Sequence, residues 1–312
     1  MVKSYDKSIP SCDGIHTLAG RIFEPEGEVK GIFHIVHGMV EHKERHFELL
    51  ETLAAQGWIC LAFDNLGHGA SVNDPSEHGY IARRNGWRML CDDVNAFASE
   101  MKRSFGDGLP YVLAGHSMGS FIARLTASLY PDVCDGLIAI GTGYRNPAAP
   151  EGLLILDGIS RAKGDRYISD FAEKVSIGSY NDRFLEENDR LSWINTLAGE
   201  RELYRADPLC SFRFTVSAMH DLVKLNIECN SKRCFAGTKK ELPIILLSGA
   251  DDPVGDYGIG IWQVYKGYRR SGHDNVGMKL YKGCRHEIMH DVCKDEFTAD
   301  VIRFLGAFRA AD

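Results

Sequence analysis

Short apolar runs alternate with amphipathic segments along much of this chain. Continuous apolar runs rich in β-branched residues predict buried strands, whereas apolar residues spaced three or four positions apart predict helices. Regular alternation of the two is typical of an α/β fold with a mostly parallel central sheet flanked by helices. The predicted strands are Gly31–Val36, Trp58–Phe63, Tyr111–Ala114, Leu137–Ile140, Pro243–Leu247 and Val276–Tyr281.

Helical periodicity follows most of these predicted strands. A segment with apolar positions from Phe47 to Ala54 ends at Gly57, and a longer helix has one apolar face from Trp87 to Met101. Another helix should begin at Met118, directly after a strand and a glycine. Further helices are predicted near residues 256–271 and over a terminal segment that includes Phe297, Val301, Phe304, Leu305 and Phe308.

The alternation is interrupted between residues 143 and 235. This stretch has helical patches, many charges and many aromatic residues, but no apolar run typical of a buried strand. No internal repeat or long linker indicates a separate second domain. We therefore predict one α/β core domain, formed by residues 1–142 and 236–312, with residues 143–235 inserted into it as a helical cap.

Composition excludes several classes of protein. The 312 residues include 36 Lys and Arg and 43 Asp and Glu, which gives a net charge of −7. That balance argues against a general nucleic-acid binder, because phosphate contacts require clustered basic residues. No stretch approaches the roughly 20 apolar residues of a membrane span, and the first residues lack the apolar core of a signal peptide. We therefore expect a cytoplasmic protein, and its oligomeric state is left open.

The segment Gly115-His-Ser117-Met-Gly119 matches the G-x-S-x-G pattern of a nucleophile elbow. A predicted strand ends just before it and a predicted helix begins just after it, as that motif requires. The glycines let neighbouring backbone approach the sharp turn, and the helix N-terminus favours a developing anion. The sequence therefore predicts Ser117 as a catalytic nucleophile, with a glycine-bounded helix cap as the alternative.

A serine nucleophile needs a base, and that base needs an orienting acid. In hydrolases of this topology the three residues follow in the order Ser, acid, His. Asp251 and Asp252 follow a late predicted strand, and His286 follows the last one. We favour Asp252 as the acid because Pro253 keeps the residue before it extended, and Asp251 remains the alternative.

The segment from His286 to His290 also matches H-E-x-x-H, the zinc-protease signature. That chemistry requires the motif within a helix and a third ligand, whereas here the motif follows a strand and Gly283. The nine cysteines form no C-x-x-C pair, so we expect buried, inert thiols rather than metal or redox sites. The sequence therefore predicts no metal and no cofactor.

Hydrolysis of an acyl group through a tetrahedral intermediate requires two preorganised backbone N–H donors. One should come from Met118, the residue after the nucleophile. The other should come from the loop after the strand Gly31–Val36, where Met39 is our candidate. His68 lies among glycines in the loop after the next strand, and we expect it to be structural rather than catalytic.

Five motifs together resemble the α/β-hydrolase superfamily, and within it the lysophospholipase/monoacylglycerol lipase-like branch. The resemblance spans roughly residues 15–310 and includes a cap stretch from Ala206 to Cys210. The loop after the first buried strand departs from the family pattern, because Met39 and Val40 stand where relatives typically have a small residue and glycine. The motifs are His37-Gly38-x-x-Glu41-His42, Asp64-x-x-Gly67-His68-Gly69-x-Ser71, Gly115-His-Ser117-Met-Gly119, Asp252-Pro253-Val254-Gly255 and Arg285-His286-Glu287.

The resemblance implies a serine hydrolase that cleaves small, lipid-like acyl esters, such as monoacylglycerols or lysophospholipids, without a cofactor. The matching positions imply Ser117 as nucleophile, Asp252 as acid, His286 as base, and Met39 and Met118 as oxyanion donors. Two alternatives remain open. An amidase or aminopeptidase would need a polar anchor in the cap, such as Glu202 or Asp207, and a ligand-binding member of the fold would lack catalysis altogether.

Overall fold

The computed structural model describes residues 2–308, and eight strands in this range form one sheet. Their order across the sheet is β1-β2-β4-β3-β5-β6-β7-β8, with neighbours from β4 to β8 parallel. The predicted mostly parallel α/β sheet is therefore confirmed. The strands are β1 (Val2–Pro10), β2 (Thr17–Pro25), β3 (Gly31–Val36), β4 (Trp58–Phe63), β5 (Tyr111–His116), β6 (Gly136–Ile140), β7 (Ile244–Gly249) and β8 (Val276–Tyr281).

The sequence analysis missed the two N-terminal strands. They pair antiparallel, Val2 opposite Pro25, and β2 joins β4 antiparallel. Most side chains of β1 are exposed or only partly buried, because an edge strand covers little core and can carry polar residues. The six predicted strands all lie where expected, although β5 and β7 extend two residues further, to His116 and Gly249.

Helices cover both faces of the sheet, and side chains from neighbouring strand positions enter two separate apolar cores. Ile32 belongs to the core beneath α2, α3 and α9, and Phe33 belongs to the core beneath α1 and α10. This alternation is the period-2 geometry of a strand buried on both faces. These helices are α1 (Phe47–Ala54), α2 (Gly86–Phe105), α3 (Met118–Leu129), α9 (Ile259–Arg270) and α10 (Lys294–Leu305).

Residues 141–243 join β6 to β7 and contain helices but no strand. The later helices pack into the main core, since Leu225, Cys229 and Phe235 are buried with residues of α3. The last predicted helix ends at Leu305, and Phe308 packs beyond its end against the other apolar core, beneath α1 and α10. The helices of this segment are α4 (Ala149–Lys163), α5 (Asp170–Ile177), α6 (Ala198–Ala206), α7 (Val216–Cys229) and α8 (Lys232–Gly237).

None of the helices within residues 2–308 combines the length and apolar character needed to cross a membrane.

Candidate active site

The carboxyl ends of the parallel strands bring the predicted site residues to one edge of the sheet. Ser117 follows β5, Asp252 lies in the turn after β7, and His286 lies in the loop after β8. This edge is where ligands bind in open α/β sheets. Ser117 and His286 line the same cavity, which has a volume of about 230 Å³.

Ser117 sits on a strained turn between β5 and α3. Its φ of 53° and ψ of −120° are unusual for a residue with a side chain, and its N–H donates to the Ile140 carbonyl at 2.9 Å. A side-chain carbon at Gly119 would overlap the carbonyl oxygen of Val36. The Ser117 side chain forms no capping hydrogen bond to α3, so the helix-cap alternative finds no support in the geometry.

The candidate base and acid are in direct contact. His286 Nδ1 lies 3.0 Å from Asp252 Oδ2, and the fully buried Asp252 also accepts hydrogen bonds from Ser248 Oγ and the Val254 N–H. Asp251 is exposed. The geometry thus brings Asp252, rather than its neighbour, to His286, and it leaves Nε2 as the ring nitrogen available to another group.

Two aromatic rings enclose His286. The Trp193 ring centroid lies 5.2 Å away and that of His116 lies 4.8 Å away. On another side, a side-chain carbon at Gly141 would come within 3.1 Å of the imidazole Cε1. A base surrounded in this way has few alternative rotamers, which is a condition for efficient proton transfer.

The residues of the H-E-x-x-H match do not face a common point in the way a zinc site requires. They lie in an irregular loop rather than a helix. His286 binds Asp252, whereas Glu287 forms a 2.8 Å ion pair with Arg45. Burial lowers the pKa of His290 to about 3. Two of the three side chains are therefore engaged by other residues, and burial keeps the third, His290, uncharged.

The loop after β3 lies directly against the nucleophile. A side-chain carbon at Gly38 would come within 3.0 Å of Ser117 Cβ, and Met39 lines the cavity. Met118 is the first residue of α3, so its N–H has no acceptor within the helix. Both predicted oxyanion donors are thus on backbone that borders Ser117.

The same loop is strained and is held from two sides. Val40 has a φ of 56°, which is costly for a β-branched residue. Its N–H donates to His68 Nε2 at 3.4 Å, and its carbonyl accepts from the Tyr204 hydroxyl at 2.8 Å. Burial lowers the pKa of His68 to about 3, so the ring is neutral and its contacts are those of a structural support.

Buried charges beneath the cavity were not identified from the sequence. The Glu41 carboxylate accepts the Gly38 N–H and lies 2.8 Å from His116 Nδ1. Burial alone would raise the pKa of Glu41, but His116 outweighs it and holds that pKa well below its usual value. Glu41 and His116 belong to the family-like motifs that follow β3 and end β5. The sequence signal that could have indicated Glu41 is a glutamate that follows a buried strand, next to a glycine-rich turn.

The cavity walls come mainly from residues 143–235. Apolar side chains such as Ile177, Trp193, Phe212 and Met219 line it. Glu173, Arg190 and Arg213 also line it, and they border a larger outer cavity of about 650 Å³. The site is therefore an apolar pocket with the candidate nucleophile at its base and a charged mouth.

The two residues that we considered as amine anchors are occupied elsewhere. Glu202 is exposed and pairs with Arg205. Asp207 lies 2.8 Å from His42 Nε2 and also accepts the Leu209 N–H. Neither of the two acids lines the cavity.

Comparison with known proteins identifies a family and a common fold. A family model described as "Serine aminopeptidase, S33" matches residues 27–292. The chain is 25% identical over 277 residues to monoglyceride lipase from Homo sapiens, an alignment that covers 86% of this chain and 79% of the relative.

Solved structures with the same architecture include two hydrolases. A thermostable carboxyl esterase from Bacillus coagulans, solved in complex with glycerol, aligns with a TM-score of 0.92 and 26% identity over 98% of both chains. A soluble variant of monoglyceride lipase from Saccharomyces cerevisiae, solved with a substrate analogue, aligns with a TM-score of 0.77 and 19% identity, covering 99% of this chain and 96% of the other. The α/β-hydrolase fold predicted from the sequence is confirmed.

Proposed function

This chain belongs to the serine aminopeptidase family of α/β hydrolases, and from that premise we propose that it is a serine ester hydrolase acting on small, lipid-like acyl esters. The observation that carries the proposal is the arrangement of three side chains. Ser117, on a strained turn, shares a cavity with His286, whose Nδ1 lies 3.0 Å from the buried carboxylate of Asp252. A nucleophile and a base on one cavity, with a buried acid oriented toward the base, match the chemistry of acyl transfer.

The proposed reaction has two stages. His286 Nε2 takes the hydroxyl proton as Ser117 Oγ attacks the acyl carbonyl, and the N–H groups of Met39 and Met118 hold the resulting oxyanion. The intermediate collapses to an acyl-enzyme as His286 returns the proton to the departing alcohol. A water molecule, deprotonated by His286, then attacks the acyl-enzyme and releases the carboxylic acid and free Ser117.

The substrate class rests on the cavity and on the relatives. The lining is largely apolar near Ser117, which suits an acyl chain. The relatives named monoglyceride lipase and carboxyl esterase support an ester bond as the target. We propose a monoacylglycerol or lysophospholipid-like ester as the substrate, with residues 143–235 forming a cap over the site.

Peptide-bond cleavage is the rival activity, since the family name includes aminopeptidases. Binding a free α-amine requires an acidic group that is not already neutralised. The acids at the cavity are each held by a cation: Glu41 by His116, Glu287 by Arg45, and Glu173 by Arg213. This occupancy favours a neutral ester over an aminoacyl substrate.

A cytoplasmic location is part of the same proposal. All nine cysteines are free thiols in the described structure, and only Cys12 is exposed. Free thiols in this number are typical of a reducing compartment.

A substrate panel tests the proposal. The purified protein is assayed with p-nitrophenyl esters of two to sixteen carbons, monoacylglycerols, lysophospholipids and aminoacyl-naphthylamides, with Ser117→Ala as the control. We expect turnover of esters, with the greatest kcat/KM on a monoacyl lipid. A clear preference for aminoacyl-naphthylamides would replace the esterase by an aminopeptidase, and no turnover of any substrate would favour a non-catalytic binding protein.

A further inference from the structure

A second histidine lies against the candidate base. The rings of His116 and His286 have centroids 4.8 Å apart and planes inclined by 42°. His116 Nδ1 lies 2.8 Å from Glu41 Oε1, and His116 Nε2 lies 3.4 Å from the carbonyl oxygen of His286. Glu41 and His116 are both only 3% exposed. No step of the reaction proposed above uses either side chain.

The hydrogen-bond partners of His116 define its charge. A carboxylate and a carbonyl are both acceptors, so a ring that faces one with each nitrogen must carry a proton on both. Burial alone would lower the pKa of His116, but the adjacent Glu41 charge and hydrogen bond outweigh it and raise that pKa. Geometry and electrostatics thus agree on a buried imidazolium.

Glu41 and His116 connect three of the four loops that carry the candidate machinery. Glu41 accepts the N–H of Gly38, beside the candidate oxyanion donor Met39. His116 immediately precedes Ser117 and reaches the backbone of His286. The pair therefore spans the turns after β3, β5 and β8.

Other charges around the pair are balanced locally. Arg45 binds Glu287 at 2.8 Å and has its Nε 3.8 Å from Glu41. Burial keeps the pKa of His46 well below its usual value, so that ring adds no charge. The titratable groups that face His116 are Glu41, His46, His286, Glu287 and His290, and Arg45 reaches the pair through Glu41.

We propose that Glu41 and His116 form a positioning pair for the reaction, in which the buried His116 cation keeps His286 neutral and ready to accept the serine proton. This inference rests on the proposed function. A like charge in contact disfavours a second cation, so a charged His116 opposes the addition of a second proton to His286. Asp252, on the opposite nitrogen, stabilises the imidazolium that forms during attack. The hydrogen bonds of the pair fix the loops that must meet in the transition state.

The pH dependence of kcat/KM on an ester substrate tests the pair. His116→Asn removes the cation and leaves Glu41 charged, so we expect the acidic limb of the profile to move to higher pH by about one unit. Glu41→Gln removes the counterion, so His116 loses its charge as well, and the shift should be smaller. His220→Asn makes the same substitution at a half-exposed histidine on α7 and should leave the limb unchanged.

An NMR titration of the wild-type protein, with ¹⁵N-labelled histidine rings, reads the charge of His116 without any variant having to fold. We expect both His116 nitrogens to be protonated at pH 7, with the ring resonances assigned through bonds to the sequentially assigned backbone of His116. A neutral ring at pH 7, or an acidic limb unmoved in a folded His116→Asn protein, would overturn the inference. Absence of ester turnover in the wild type would instead refute the proposed function, and the titration would still report on His116.

Discussion

The floor of the site, formed by the loops after β3, β5, β7 and β8, contrasts with its roof, formed by residues 143–235. The floor buries charged side chains almost completely and pairs them, as with Glu41 and His116. The roof leaves large apolar side chains in solvent, such as Leu154 at 72% and Leu185 at 66% exposure. Buried charges tolerate little displacement, whereas exposed apolar residues impose few geometric demands. The floor thus holds the candidate site residues in fixed positions, whereas the exposed roof residues are less constrained.

The later helices of the roof share an apolar core with α3, and polar contacts add further links between the roof and the loops of the floor. Tyr204 bonds the Val40 carbonyl, and Asp207 bonds His42. The N–H of Glu287 donates to the Ile194 carbonyl at 2.8 Å. These contacts place roof residues on the loops that carry the candidate oxyanion donor and base, so a change in the roof can reach the floor through a few hydrogen bonds.

The largest effect should come from the floor. In Asp252→Asn, the carboxylate that orients His286 is replaced by an amide of the same shape, and we expect kcat to fall by about 10⁴-fold with little change in KM. Steady-state kinetics on a p-nitrophenyl ester measures this. Asp251→Asn is the matched control, since its side chain is exposed, and its kcat should stay within about twofold of wild type. Equal losses in both variants would contradict the assignment of the acid.

Asp221, on α7, is a buried acid in the roof. It is an exception to the contrast between a floor with buried charges and a roof with exposed apolar side chains. Asp221 faces the N–H groups of Gly86 and Trp87, yet burial raises its pKa to about 7. In the unfolded chain the pKa of an aspartate is about 4. The folded protein therefore binds the carboxyl proton of Asp221 more tightly than the unfolded chain does. Stability should therefore fall as pH rises from about 4 to 7.

Asp221→Asn should remove that pH dependence. We expect the free energy of unfolding to increase by about 1–3 kcal/mol at pH 8 and to change little at pH 4. Urea unfolding at the two pH values measures the difference. Destabilisation by the same amount at both would show that the carboxylate is needed as a hydrogen-bond acceptor rather than tolerated as a buried charge.

The contact between roof and floor should give a smaller effect. Tyr204→Phe removes the hydroxyl that bonds Val40, and we expect kcat/KM to fall by about three- to tenfold, equivalent to ~0.5–1.5 kcal/mol. The melting temperature should change little. Tyr167→Phe makes the same change at an exposed roof position and should have no effect. A Tyr204→Phe enzyme with wild-type kinetics would remove the link between the roof and the strained loop.

The smallest effect should come from the roof surface. Leu185 is exposed and lines the outer cavity, so Leu185→Ser should change the free energy of unfolding by less than about 0.5 kcal/mol. It should raise KM for long acyl chains a few-fold and leave short-chain esters unaffected. Leu203→Ser, an exposed position outside both cavities, serves as the control. A large loss of stability in Leu185→Ser would show that the roof is packed as tightly as the floor.

The floor was the more predictable region because its signals are local. Strands β3 to β7 are apolar along their length, and the turn around Ser117 requires glycine on both sides. Strand β1 escaped prediction because its exposed edge carries lysines and serines. The pairing of Glu41 with His116 joins positions 75 residues apart, and neither residue alone indicates a buried partner.

The positions of side chains in the roof could not be predicted, for a different reason. Its helical character follows from periodicity, but the directions of its side chains depend on how five helices pack over the sheet. The sequence shows Trp193 only as one aromatic residue among many, yet its ring lies tilted against that of His286, with centroids 5.2 Å apart. Asp207 was considered as a substrate anchor, whereas it binds His42. That residues 143–235 form a helical cap inserted into the core domain stays a prediction.

Detection of an acyl-enzyme on Ser117 is the decisive measurement for the proposal that Ser117 is the nucleophile of an ester hydrolase. The protein is mixed with a p-nitrophenyl ester, quenched in acid within the first turnover, digested and analysed by mass spectrometry, with fluorophosphonate labelling run in parallel. We expect the ester to leave one acyl group, and the fluorophosphonate one phosphonyl group, on the peptide that contains Ser117, and neither label in Ser117→Ala. Labelling on another residue, or ester turnover that persists in Ser117→Ala, would contradict it.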